Sequence, residues 1–220
     1  MAKKKAFILD TNILFLYFKS MLSDADYNSS YRLRNEKRII TNVKIMMDTR
    51  KIIIPKVCFF EFASNVLQSK IDLNNYNCWY NKRFAIFQKL FRLVNDPSRN
   101  RRVTLCDNAD EDAKDLIQKP LPDDVIFKLK TIVEERKKKD RLGPREPKFL
   151  DGQDSVILCT ALSIPQKGYN DKETDVDYFL VTNDESMELA ATYYMNEAKN
   201  NSKRTLSGVI RPFMLDNFIN

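Results

Sequence analysis

Short apolar runs recur along the chain, each closed by a polar or turn-forming residue, and the apolar positions between them fall at helical spacing. Ala6-Phe7-Ile8-Leu9 stops at Asp10, and Lys51-Ile52-Ile53-Ile54 stops at Pro55. Val103-Thr104-Leu105-Cys106, Tyr178-Phe179-Leu180-Val181 and Gly208-Val209-Ile210 complete the set. Runs of this length without alternation predict short strands buried on both faces. Ile39, Ile40, Val43, Met46 and Met47 make one helical stripe within a helix predicted from Asn35 to Arg50. Helices are also predicted after Asp10 through about Phe18, over Val57–Leu67, over Tyr76–Asn95, over Asn108–Gln118, over Asp123–Asp140, from Asp154 onward, and over Glu185–Lys199. Ser20–Asn35 reads as a loop or weak helix and Gly168–Asp177 as a polar loop.

Strands alternating with helices favour a parallel sheet covered by helices on both faces. At 220 residues the chain suits one domain, residues 1–220, with a helical elaboration at about 73–149. In that elaboration the aromatic stripe around Trp79 reads chiefly as packing, with base stacking the minority option, and the run Glu134–Arg141 as a solvated face or as a basic arm for phosphates. No apolar stretch approaches the roughly 18 residues a membrane helix needs, and the run behind Lys3-Lys4-Lys5 is too short for a signal peptide. The expectation is a soluble cytoplasmic protein without a membrane partner.

Composition narrows the chemistry. The chain has no histidine, which removes the Ser/His/Asp and Cys/His arrangements and most zinc hydrolase sites. Its four cysteines, Cys58, Cys78, Cys106 and Cys159, stand apart with no metal or redox spacing and are expected as free thiols. Lys plus Arg number 37 against 30 Asp plus Glu, a formal charge of +7 that points to an anionic partner such as nucleic acid.

The acids stand at telling places. Asp10 follows the first strand, and Thr182-Asn183-Asp184 follows the fourth; ligands of parallel sheets sit beyond the strands' carboxyl ends. Glu61 is the lone acid of the helix VCFFEFASNVL, among Phe59, Phe60 and Phe62. Asp151 and Asp154 lie in or just before the first turn of the helix of LDGQDSVILCTAL, where one of them suffices as a cap. Capping alone would also account for Asp10-Thr11-Asn12, and an outer-face position for Glu61. Because crossover helices start near the carboxyl edge, the topology directs all five acids there. Like charges at about 4 Å and an effective dielectric near 20 cost on the order of 4 kcal/mol per pair, so such a cluster calls for cations. An all-oxygen donor set suits Mg²⁺ or Mn²⁺, which can activate water and hold a phosphodiester oxygen.

The segments FILDTN around Asp10, IIIPKVCFFEF around Glu61, GQDSVILCTAL around Asp154, FLVTNDESM around Asp184 and the closing GVIRPFMLDNFI together resemble the PIN-domain ribonucleases, in order and in setting. The resemblance implies a Rossmann-like three-layer α/β/α sandwich with a central parallel sheet of four to five strands. It also implies a metal site of Asp10, Glu61, Asp154 and Asp184, with Asp151 as an extra acid and with Asn12, Thr182 and Asn183 orienting the carboxylates or the scissile phosphate. The activity implied is Mg²⁺- or Mn²⁺-dependent hydrolysis of RNA, expected to be single-stranded. A homodimer and an antitoxin-like protein partner stay open. The matching segments cover about half the chain, and residues 73–149 exceed what small toxin members have. A haloacid-dehalogenase phosphatase needs a second acid where Asn12 stands, and no glycine-rich phosphate loop is present. The alternative is a PIN-like module without activity that binds RNA or serves as a scaffold.

Overall fold

The first strand, β1 (Lys4–Leu9), lies at the centre of a five-stranded parallel sheet, and its last four side chains are fully buried. The computed structural model describes residues 4–21, 33–68, 85, 88, 90–92, 94, 103–106, 120–139, 150, 152–167 and 176–219. β2 (Lys51–Pro55), β3 (Val103–Cys106), β4 (Val176–Val181) and β5 (Gly208–Ile210) give the order β3-β2-β1-β4-β5. Every pairing is parallel. β1 and β4 start two residues before their apolar runs: Lys4 pairs with Val176 and Lys5 with Asp177, so the polar outer ends extend the ladder.

Helices α1 (Thr11–Lys19), α2 (Leu33–Thr49) and α3 (Lys56–Gln68) follow β1 and β2, and α1 packs on both α2 and α3. Phe62 of α3 meets Phe15 and Phe18 of α1 edge-on, at ring-centroid distances of 5.2 and 5.8 Å. Beyond β3 come α4 (Asp123–Lys139), α5 (Gly152–Lys167) and α6 (Glu185–Asn200), with α4 and α5 both packed on α6. With the right-handed crossovers that parallel strands take, the reversal of strand order at β1 assigns α1 to α3 to one face and α4 to α6 to the other, a three-layer α/β Rossmann-like sandwich. A 3-10 turn (Pro212–Met214) and α7 (Asp216–Ile219) close the chain against α2. Arg38 Nε donates to Asp216 Oδ2 at 2.8 Å and the Arg50 guanidinium donates to the Ile219 carbonyl, tying the tail down.

The helices predicted around Ile39, Glu61, Asp154 and Glu185 are present, with the predicted ends displaced by at most two residues. The helix predicted over Asn108–Gln118, Trp79 with Tyr80, Phe84 and Phe87 of its stripe, and the side chains beyond Glu135 in the charge run lie outside the described residues. Among the described residues no helix is long and apolar enough to cross a membrane. Cys58, Cys106 and Cys159 are free thiols, as expected; Cys78 lies outside the described residues.

The strand order fixes where a ligand can sit. The chain leaves β1 toward β2 and β3 on one side, then returns to build β4 and β5 on the other, so the direction of winding reverses between β1 and β4. Open α/β sheets have their crevice at the carboxyl ends of the strands at this switch point. Asp10 and the Thr182-Asn183-Asp184 segment stand there.

Candidate active site at the switch point

Leu9 pairs with Val181, and the Asp10 N–H donates to the Val181 carbonyl at 3.0 Å, so the ladder runs on by one residue and sets Asp10 beside Thr182. Asp10 occupies the N-cap position of α1, yet its side chain makes no capping bond. Its Oδ2 instead accepts from Thr182 Oγ1 at 2.6 Å and from Asn12 Nδ2 at 2.6 Å. Asp10 as a whole is 3% exposed. Burial raises its pKa, and the charge of Asp184 adds to that; the bonds from Thr182, the Thr11 backbone and Asn12 pull the other way. A desolvated acid with a like charge beside it is a poor structural cap and a good place for a cation.

Thr182 and Asn12 couple the two strand ends. The Thr182 hydroxyl, fully buried, also accepts from the Asp184 N–H at 3.0 Å, and Asn12 Oδ1 accepts from the Asn183 N–H at 2.9 Å. Asn12 and Thr182 thus hold the Asp10 carboxylate directly. Asn183 takes part through its backbone, and its side chain is exposed. Asp184 is the N-cap of α6: its Oδ1 accepts from the N–H groups of Ser186 at 2.7 Å and Met187 at 3.2 Å. So the capping account, which fails at Asp10, holds at Asp184, where it coexists with the charge felt by Asp10.

Glu61 reaches the same cluster through Thr11. The Thr11 hydroxyl donates to Glu61 Oε2 at 2.5 Å, joining the start of α1 to the second turn of α3. Cys58, buried one turn before Glu61, is pushed far above its usual pKa by desolvation, with Asp10 and Glu61 both adding negative charge. On its other side Glu61 faces a cleft of about 500 Å³, lined on α3 by Lys56, Val57, Phe60 and Ser64, at the end of β3 by Cys106, and on α5 by Gln153, Val156 and Thr160.

Asp154 is half-buried in the first turn of α5, next to Gln153 of that cleft. It is the third residue of the helix and not its cap. Asp151, immediately before the helix, lies outside the described residues. Among the described residues no three of Asp, Glu and Cys gather closely enough to hold one ion. What the structure brings together is Asp10 with Asp184, through Thr182, and Asp10 with Glu61, through the adjacent Thr11; Asp154 stands at the α3–α5 side. Mg²⁺ takes one or two protein carboxylates and keeps several waters, so a site for such an ion does not require a third acid.

Sequence reasoning missed Thr11 as the partner of Glu61, since their contact spans 50 positions, and it missed the Lys56, Phe60 and Gln153 walls of the cleft. The hydroxyl directly after Asp10 was the one available signal. No family model matches this chain, and no curated protein matches it.

Proposed function

We propose that the protein is a metal-dependent ribonuclease, an endonuclease that hydrolyses phosphodiester bonds of single-stranded RNA at the β1–β4 crevice. The observation that carries this reading is the buried Asp10 carboxylate, held by Thr182 and Asn12 instead of capping α1 and raised in pKa by burial and by Asp184. Asp10 and Asp184 would hold Mg²⁺ or Mn²⁺, with Glu61 and Asp154 flanking on the α3–α5 side. When bound, the cation supplies Lewis acidity toward a phosphodiester oxygen and lowers the pKa of its water.

The chain's own residues do the rest. Thr182 and Asn12 keep Asp10 in one orientation, and their donated bonds favour its ionised form, the form a cation needs. Glu61, steadied by Thr11, presents a carboxylate to the cleft, where it can take a proton from an attacking water. The net charge of +7 supports an anionic polymer as substrate. The resemblance of the segments around Asp10, Glu61, Asp154 and Asp184 to PIN-domain ribonucleases supports the same reaction.

A second reading, an inactive PIN-like module that binds RNA or acts as a scaffold, draws on one observation: among the described residues no three acids form a cluster. The deciding experiment is cleavage of labelled single-stranded RNA with Mg²⁺ or Mn²⁺ by the wild type beside Asp10→Asn. The expected result is products with 5′-phosphates from the wild type only, lost on chelation. Equal cleavage by both proteins, or none by either, rejects the nuclease.

A further inference from the structure

The cleft beside Glu61 carries an apolar feature that catalysis does not use. Phe60, on its α3 wall, is 64% exposed, although its neighbours Phe59 and Phe62 are buried. Val156, on the α5 wall, is 47% exposed. Single exposed apolar residues are ordinary on a protein surface. Here two of them line one cleft, on the two helices that bound it, beside a carboxylate, the Lys56 ammonium and the Gln153 amide. The Phe59 ring sits edge-on to Phe60 at 6.2 Å and fixes one side of it without covering it. A cleft of about 500 Å³ falls in the range that holds small-molecule-sized groups.

We propose that Phe60 and Val156 form a clamp for one unpaired nucleobase, the base of a nucleotide next to the phosphate to be cut. The proposal rests on the ribonuclease reading and adds how that site selects its substrate. A flat ring has an aromatic face on one side and a branched aliphatic group on the other. Gln153 adds an amide to the cleft wall near a base edge, and Lys56 places positive charge where the sugar–phosphate chain would pass. Stacking on an aromatic side chain requires the base to leave any duplex, so the clamp admits single strands and rejects paired RNA. Because every base has a π-face, it imposes little sequence preference.

The test uses binding and cleavage separately. Binding is read by fluorescence anisotropy on the Asp10→Asn protein, with a labelled single-stranded oligoribonucleotide, the same oligonucleotide carrying one abasic position moved along it, and its duplex. Cleavage is read on the otherwise wild-type chain. Adding Phe60→Ala is expected to weaken single-strand binding by about tenfold, within the range for one stacked base, and to erase the penalty of the critical abasic position. Phe60→Trp is expected to retain both affinity and that penalty. As Phe60 is exposed, its variants should unfold at the parent's temperature, which separates a lost stack from a lost fold. Unchanged affinity in Phe60→Ala, or duplex bound as tightly as single strand, overturns the clamp while leaving cleavage intact. Phe60-dependent binding with no cleavage by the wild type overturns the ribonuclease alone, and a parent that binds no RNA overturns both.

Discussion

Thr182→Val tests the coupling on which the site depends. Valine keeps the shape of this fully buried side chain and removes its hydroxyl, which donates to Asp10 Oδ2 at 2.6 Å and accepts from the Asp184 N–H at 3.0 Å. A hydrogen bond to a charged group contributes about 1.5–3 kcal/mol and a neutral one about 0.5–1.5 kcal/mol, so the substitution should cost about 2–4.5 kcal/mol. For a chain of this size that lowers the thermal midpoint by about 4 to 18 °C. The cost should also depend on pH. Asp10 already has a raised pKa in the folded state, and losing the Thr182 donor raises it further. A folded state that keeps its proton above the unfolded value of 3.8 loses stability as pH rises through that window, so the deficit should grow from mildly acidic to neutral pH. In an Asp10→Asn background both lost bonds are neutral and the cost should fall by about 1–1.5 kcal/mol, to about 1–3 kcal/mol. Thermal denaturation of the four proteins at both pH values checks each part. A cost below about 0.5 kcal/mol, or one equal in both backgrounds and at both pH values, would refute the reasoning.

Asp184→Asn separates the cap from the cation, because asparagine caps as well as aspartate while losing the charge. Without divalent ions the variant should unfold within a degree or so of the wild type or slightly later, since relief of Asp10 offsets a weaker helix-dipole interaction. Adding Mg²⁺ or Mn²⁺ should raise the wild-type midpoint, by about 2.7 kcal/mol of stability at a hundredfold excess over Kd, and leave Asp184→Asn and Asp10→Asn unmoved. A wild-type midpoint indifferent to both ions sinks the metal site. Metal-free Asp10→Asn should itself unfold later than the wild type, because a buried charge disappears while an amide oxygen can keep the bonds from Thr182 and Asn12; an earlier midpoint contradicts the burial argument. Tyr17 is 4% exposed, and burial together with Asp48 pushes its pKa up to about 12. Ultraviolet titration should find a phenol that ionises late, with stability falling as pH rises from 10 toward 12; a Tyr17→Phe protein with the same alkaline limb argues against this.

The sheet was legible because its strands are buried on both faces. Phe7, Ile8, Ile52, Ile53 and Leu180 have no polar face to show, and continuous apolar runs result. The outer ends were less legible: Lys4, Lys5 and Asp177 carry polar side chains on residues paired through their backbones. Handedness and the order of elements were enough to bring Asp10 and Asp184 to one edge. They were not enough to say what each does, since that depends on register.

Both stretches read as an apolar run followed by hydroxyl, amide and acid residues, which invites matching Asp10 to Asp184. Register matches Asp10 to Thr182 instead, because Leu9 pairs with Val181 and each is followed by one of the two. The first residue after the strand looks across to the neighbouring strand, whereas the third reaches the first turn of the next helix, which is why Asp184 caps α6 and Asp10 caps nothing. Two acids at the first position would face each other at hydrogen-bond distance and repel by several kcal/mol, on the order of 4 kcal/mol at about 4 Å. A threonine there supplies a donor and allows the 2.6 Å contact, and it accepts the Asp184 N–H, so the second acid is set back by two residues. The spacing leaves Asp184 near enough to raise the pKa of Asp10. An offset of two residues between matching strand ends therefore lets the two carboxylates feel each other's charge while a threonine hydroxyl, not a second acid, meets Asp10 across the strands.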